Sequence, residues 1–296
     1  MDDQIRLSAF EWLEKQTIIY GDVLSRDLLE KGFLFNGEKI NLIGAKGIWK
    51  PRLMDFPLSI TTTSNGPYSD SFTSEGFLKY KYRGTDPHHA DNVGLRNLIK
   101  FRKPLIYLHS VIKGKYLATW PVYIINDNIY DLVFTVAVDD KMTVNKEFEQ
   151  VNEDATYYRR SYLTSTIQSR VHQRSFRERV LLAYQNHCAL CNLKHTELLD
   201  AAHIIADKED IGDPIIQNGL ALCKIHHAAF DNNFIGINSD YVIKIRTDLL
   251  IETDGPMLRY GIQSLNNANL ILPSNKINWP DKERLEIRYS AFLKAG

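Results

Sequence analysis

Two pairs of metal-binding residue types between positions 188 and 226 constrain the fold of this chain most strongly. All three cysteines of the 296-residue sequence lie here, as Cys188-x-x-Cys191 and Cys223-x-x-His226. A two-residue gap forms a tight turn that presents two ligands, and two such turns complete the four ligands of a tetrahedral zinc ion. The sequence therefore predicts a structural Zn²⁺ site with reduced thiols, which is typical of a cytoplasmic protein.

A second set of polar residues lies between these pairs and directly after them. His203 is the histidine of Ala-Ala-His-Ile-Ile, Asn218 precedes Gly219, and His227 follows the last zinc ligand, with Asp231 four residues further on. On a helix, the i, i+4 spacing places His227 and Asp231 on one face.

In this order, His203, Asn218 and His227 resemble the signature of the HNH (ββα-metal) endonucleases, and the cysteine pairs bracket them as in the zinc-stapled members of that family. The resemblance implies that a strand carries His203 as the general base and that Asn218 pins a loop and orients this base. It also implies that His227 and Asp231, on a helix, bind a catalytic Mg²⁺ or Mn²⁺. Many members have Asp or His directly before the base, where this chain has Ala202, so fewer protein groups would hold the ion.

The residue types suit phosphodiester hydrolysis. A neutral histidine near pH 7 can take a proton from water, and a hard divalent ion can stabilise charge on the phosphate and on the leaving oxygen. The alternative is a zinc-stabilised DNA-binding protein without catalytic activity.

Length and composition predict a two-domain protein with no membrane partner. We expect an N-terminal domain over residues 1–140, a basic helical linker over 141–180 and a nuclease domain over 181–296. The sequence has no apolar run of membrane-spanning length and no signal-peptide pattern at its N-terminus. Its formal net charge is zero, so binding to DNA would depend on local clusters of charge.

The hydrophobic patterns predict an α+β fold. Apolar residues at helical spacing indicate a helix over residues 4–31, and short apolar alternations then continue to Asp139. Many short strands at this spacing indicate a small barrel or a strongly bent sheet. After the nuclease motif we expect a hairpin over residues 234–245, extended by segments 249–252 and 270–273, and a final helix over residues 280–295.

Part of the N-terminal domain resembles the SRA domains, which are PUA-like β-barrels that flip a modified cytosine out of duplex DNA. The resemblance rests on the segments Gly66–Phe72, Leu78–Gly84 and Asp91–Leu95 and on the strand after Pro104. It implies that Tyr68 and Tyr82 stack on the two faces of the extruded base and that Asp70 accepts a hydrogen bond from its amine. The alternative is that these tyrosines are ordinary residues of a β domain.

The predicted linker is rich in arginine, with Glu178 as the only acidic residue between Tyr157 and Val180. Arginines along a helix can neutralise DNA phosphates without reading the sequence. The predicted backbone contacts are Arg159, Arg160, Arg170, Arg174 and Arg177. The alternative is a solvated helix face.

Together the two resemblances imply a modification-dependent, type IV-like restriction endonuclease that cleaves double-stranded DNA carrying 5-methyl- or 5-hydroxymethylcytosine. One HNH site cuts one strand, so we expect a homodimer. The alternatives are an HNH nuclease that reads unmodified DNA and one that reads another mark, such as a glucosylated base or a phosphorothioate linkage.

Overall fold

The computed structural model describes residues 1–62, 71–73, 75–139, 153–253 and 255–295. This part of the chain is a mixed α+β protein of two compact units, Met1–Arg174 and Ser175–Gly296. The boundary falls within one long helix, α4. None of the described helices is long and apolar enough to span a lipid bilayer.

The N-terminal unit combines ten strands with helices α1 to α3 and the first part of α4. The helices are α1 (Asp2–Tyr20), α2 (Arg26–Lys31), α3 (Ala90–Lys100) and α4 (Glu153–Ala183). The strands are β1 (Val23–Ser25), β2 (Phe33–Phe35), β3 (Glu38–Ile40), β4 (Ile48–Trp49), β5 (Ser59–Thr62), β6 (Ser71–Phe72), β7 (Leu78–Lys81), β8 (Leu105–Ile112), β9 (Lys115–Asn128) and β10 (Val133–Val138).

Eight of these strands form one half-barrel sheet in the order β4-β5-β8-β9-β10-β7-β6, with β1 also paired to β9. The β5–β8 pair is parallel and the other pairs are antiparallel. Among the described strands, β4 and β6 at the two ends of this order do not pair with each other. The prediction of a bent sheet is confirmed at this level, whereas the SRA or PUA identity of the unit stays a prediction.

Both faces of the sheet are buried because its central strands are apolar at nearly every position. Alternate residues of β8 contribute to two separate cores: Leu105 and Tyr107 lie in one, and Ile106 and Leu108 in the other. The first core is covered by α3 and α4, and the second by the apolar face of α1. A strand buried on both faces needs this continuous apolar pattern.

The predicted single helix over residues 4–31 is wrong, because β1 divides it into α1 and α2. Gly21 ends α1 with a φ of +80°, a backbone conformation that glycine adopts at little cost. The next residues then pair with β9, with Val23 opposite Leu117. Strand pairing with a distant partner therefore overrides the local apolar spacing.

The C-terminal unit is built on three elements, β11 (Leu199–His203), β12 (Gly219–Cys223) and α5 (Lys224–Asp231). It continues with β13 (Ile235–Ile237), β14 (Ile243–Ile245), α6 (Thr247–Ile251), α7 (Pro256–Gly261) and α8 (Lys282–Ala295). The β13–β14 hairpin and the final helix are confirmed. The predicted extension of the hairpin by residues 249–252 is wrong, because these residues lie in and just after α6.

A buried arginine holds α1 onto the N-terminal unit. Arg6 is 2 % exposed; it donates hydrogen bonds to the carbonyls of Pro104 (2.7 Å) and Phe56 (3.4 Å) and pairs with Asp2 at 2.8 Å. Burial lowers the pKa of Arg6, although the nearby Asp2 carboxylate opposes this shift. The carbonyls therefore depend on this one guanidinium group.

We predict that Arg6→Met lowers the free energy of unfolding by about 3 kcal/mol, because it removes the donor to the Pro104 carbonyl and the ion-pair partner of the largely buried Asp2 carboxylate. Chemical denaturation followed by circular dichroism measures this change. Lys103→Met is the matched control, because it removes a more exposed ion pair to Asp3 on the same helix and should cost less than about 1 kcal/mol. Equal effects of the two substitutions would contradict the assignment.

Candidate active site and metal centre

The predicted catalytic and zinc-binding residues lie on a compact ββα substructure. Strands β11 and β12 pair antiparallel, with His203 opposite Gly219 and Leu199 opposite Cys223. Cys223 ends β12 and immediately precedes α5, which carries His226, His227 and Asp231. The pairing thus places the base strand beside the strand that leads into the ligand helix.

The four predicted zinc ligands come together in the C-terminal unit. The ligand atoms of Cys188, Cys191, Cys223 and His226 all lie within 4.8 Å of one another. His226 Nδ1 is 3.4 Å from the Cys188 sulfur and 3.3 Å from the Cys223 sulfur. Three of these residues are buried and Cys191 is exposed. Three thiols and one imidazole at this separation form a donor set that Zn²⁺ prefers.

Contacts around these ligands also favour metal binding. The other ring nitrogen of His226, Nε2, lies 2.7 Å from the Gly261 carbonyl, which leaves Nδ1 as the ligand atom. The backbone N–H of Cys223 donates to the Cys188 sulfur at 3.3 Å. A hydrogen bond from the Cys223 thiol lowers the pKa of Cys188, and the same bond raises the pKa of Cys223. Cys188 is therefore the first of the two to form the thiolate that binds zinc.

The imidazole of His203 lies flat against the ring of Phe176, with 4.0 Å between ring centroids and 17° between the planes. Burial lowers the pKa of His203, and the charges of Asp207, His227, Asp231 and Asp200 modify this shift. Its Nε2 is buried without a hydrogen-bond partner among the described residues. The side chain is only partly buried, so Nδ1 is the ring nitrogen that water can reach.

Gly219 provides the space for this stacked pair. A Cβ atom at this position would lie 2.5 Å from the Val180 side chain and 2.9 Å from the Phe176 ring, well inside normal contact distance. Phe176 and Val180 both belong to α4 and are almost fully buried. The absence of a side chain at position 219 therefore lets α4 pack directly over β12 and against His203.

Asn218 ties the loop after β11 to the start of β12. Its side chain is fully buried, accepts a hydrogen bond from the Ile205 N–H at 2.9 Å and donates to the carbonyls of Ile205 (2.9 Å) and Asp213 (3.1 Å). The Ile204 N–H also donates to the Asn218 carbonyl at 2.9 Å. These bonds fix the backbone immediately after His203.

His227 and Asp231 face each other on α5, with 3.3 Å between His227 Nε2 and the Asp231 carboxylate. A third group adjoins them: Asp200 on β11 lies 4.0 Å from His227 Nδ1. Sequence reasoning missed Asp200, because its proximity to His227 depends on how β11 packs against α5. Arg288 of α8 donates to the carbonyls of Phe230 and Asp231 and so holds the end of α5.

The five arginines predicted to contact DNA all pair with carboxylates of their own unit. Arg159 and Arg160 contact the buried Asp139, and Arg170 and Arg174 contact Asp22. Arg177 donates to the carbonyls of Thr196 and Leu199, both at 2.9 Å, and lies 3.4 Å from Asp200. Arg177 thus holds the start of β11, and contact of these arginines with phosphates stays a prediction.

Of the predicted base-pocket residues, Tyr68 and Asp70 lie outside the described residues. Tyr82 is 2 % exposed, and its ring stacks on Phe134 with 4.5 Å between centroids. Its hydroxyl is hydrogen-bonded to Asp127 and to Arg96. In this conformation Tyr82 belongs to the core of its unit, and its stacking on an extruded base stays a prediction.

We predict about one zinc ion per chain that survives dialysis, measured by elemental analysis. Cys223→Ser should abolish stoichiometric zinc and unfold the C-terminal unit, because binding of a structural ion contributes directly to folding free energy. Cys191 is the exposed ligand, so Cys191→Ser should weaken zinc binding with less loss of folded structure. Full zinc occupancy in the Cys223→Ser protein would contradict this site.

Comparison with known proteins identifies one part of this chain. The HNH endonuclease family matches residues 188–238. No curated protein sequence matches the chain. One similar solved structure is the modification dependent TagI restriction endonuclease, at 13% sequence identity and a TM-score of 0.31, over 80% of this chain and 81% of that chain. Residues 188–238 are therefore the HNH endonuclease domain of a DNA endonuclease.

Proposed function

We propose that this protein is a modification-dependent restriction endonuclease that recognises 5-methyl- or 5-hydroxymethylcytosine in duplex DNA by base flipping and hydrolyses a phosphodiester bond at its HNH site. The main support for this proposal is the environment of His203. Burial against Phe176 favours its neutral form, and the charges of His227 and Asp231 act on the same ring. The electrostatic influence of His227 and Asp231 on this ring supports assigning the base and the candidate metal ligands to one site.

In this mechanism, His203 takes the proton from the attacking water. A general base must be unprotonated near neutral pH, and the lowered pKa of His203 meets this requirement. Nε2 is closed off in the interior. Because the side chain is only partly buried, Nδ1 is the nitrogen that would take the proton. The Phe176 ring fixes the plane of the imidazole, and Asn218 fixes the backbone that follows it.

His227 and Asp231 would hold the catalytic divalent ion. Their nitrogen and oxygen atoms are 3.3 Å apart on one face of α5, a separation that suits two ligands of one ion. When bound, a hard cation such as Mg²⁺ or Mn²⁺ supplies positive charge to the phosphate and to the leaving oxygen. Asp200, beside the other nitrogen of His227, would orient that ring.

The reader function belongs to the N-terminal unit. Its half-barrel sheet offers a frame for a base pocket, and the arginines of α4 offer guanidinium groups that bind phosphate. One HNH site hydrolyses one strand, so double-strand cleavage requires two copies of the chain, and we propose a homodimer.

Comparing the affinities of the protein for duplexes with C, 5-methyl-C and 5-hydroxymethyl-C tests the reader function of the N-terminal unit. Equal affinities for the three duplexes would contradict this function.

We predict that His203→Ala lowers the cleavage rate by at least about 100-fold, because the proton of the attacking water then has no acceptor. Plasmid nicking with Mg²⁺ or Mn²⁺ measures the rate, and gel-shift affinity for the same DNA should stay within about twofold. His195→Ala is the control, because this histidine lies outside the motif. Retained cleavage by His203→Ala would refute the assignment of the base.

We also predict that Phe176→Ala shifts the acidic limb of the pH–rate profile to higher pH. Burial lowers the pKa of His203, so opening its face to water lets this pKa rise toward its ordinary value, and more of the base is protonated at a given acidic pH. The maximal rate should also fall by about tenfold, since the ring is less well oriented. Phe176→Leu, which keeps an apolar side chain over the imidazole, should shift the profile less than Phe176→Ala does, and zinc content and thermal melting report whether each variant is folded.

A further inference from the structure

The N-terminal unit contains a cavity of about 630 Å³ that the nuclease site does not use. Its walls come from β9, the end of β10, the end of α1 and the face of α4 that includes Thr166 and Arg170. Ligand cavities in proteins span roughly 300–1,000 Å³, so this volume admits a whole nucleotide. Tyr82 is not among the residues that line it.

The charges around this cavity suit a ligand that carries a phosphate. Arg170 and Arg174 line the cavity and share the Asp22 carboxylate, at 3.0 Å each. At the other side, the cavity-lining Asp139 is 4 % exposed and holds Arg159 and Arg160. Arg159 and Arg160 lie outside the lining and offset the charge of Asp139. The two lining guanidinium groups therefore face one remaining carboxylate, that of Asp22. Arg170 and Arg174 are about half exposed and can turn from Asp22 toward an incoming phosphate.

The remaining walls suit the base and sugar. Leu163, Ile167 and the nearly buried Trp120 contribute apolar surface. The face of a base that leaves the duplex can pack on this surface and so recover part of its stacking energy. The side chains of Thr119 and Thr166 line the same space, and hydroxyl groups can bind the polar edge of a base or a sugar oxygen. Carboxylates such as Asp22 accept hydrogen bonds from the exocyclic amine of cytosine.

We propose that this cavity binds one extruded nucleotide of the DNA substrate, with its phosphate on Arg170 and Arg174 and its base in the space between α4 and β9. This inference rests on the proposed function, in which a base leaves the duplex to be read. It places the binding site on different residues from the tyrosine pocket that the sequence predicts.

Isothermal titration of the full chain with deoxycytidine monophosphate and with its 5-methyl derivative tests the proposal. We expect at least one to bind with a Kd of about 1 mM or tighter, and the matching nucleoside, which lacks the phosphate, to bind about tenfold more weakly. Thr166→Trp should abolish binding, because Thr166 is an exposed residue of α4 where a large ring fills the cavity without disturbing the core. Ser169→Trp, also exposed on α4 but outside the lining, should bind like the wild type.

These outcomes separate the cavity from the nuclease. If neither nucleotide binds at about 5 mM, or if Thr166→Trp binds like the wild type, the cavity assignment is overturned, even where modification-dependent cleavage is observed. If nucleotide binding follows the expected pattern but no DNA is cleaved, the cavity assignment stands and the proposed function fails. In the His203→Ala chain, Thr166→Trp should also reduce affinity for modified duplex by about tenfold, while Ser169→Trp leaves it unchanged.

Discussion

The geometry of the nuclease domain depends on the four-ligand cluster of Cys188, Cys191, Cys223 and His226. Two five-residue strands and an eight-residue helix are too short to be stable alone. The cluster joins the turn before β11 to the junction between β12 and α5. Because His226 and His227 are adjacent on α5, any constraint on the first side chain also limits where the second can point.

Contacts from α4 hold the two ends of β11. Arg177 holds the carbonyls at the start of β11, and Phe176 covers the imidazole at its end. Gly219 is needed on β12, since a Cβ atom at this position would lie too close to the Val180 and Phe176 side chains of α4. The buried Nε2 of His203 has an energetic cost, since a buried polar atom without a partner is unfavourable. A strained or unsatisfied group at a reactive site is expected where function requires it.

The sequence was sufficient for those parts of the site that short-range spacing determines. Cysteine pairs separated by two residues predict the zinc cluster, and the i, i+4 spacing of His227 and Asp231 predicts their shared face. Asp200 and Phe176 depend instead on how β11 packs against α5 and α4, which no local pattern encodes. The same reason explains the error at residues 4–31: the helical spacing there is genuine, but Val23 pairs with Leu117 on β9, a distant strand that no local pattern identifies.

The carboxylates that pair with the α4 arginines affect how strongly these arginines can bind DNA phosphates. Arg159, Arg160, Arg170 and Arg174 all contact carboxylates, so a phosphate that binds them must compete with Asp22 or Asp139. This competition lowers the affinity for DNA in general, because counterion release from backbone contacts is the main source of non-specific binding. A chain with zero net charge gains little from long-range attraction as well. In the proposed function, contacts with an individual nucleotide then carry the discrimination, since they add affinity that the paired arginines do not.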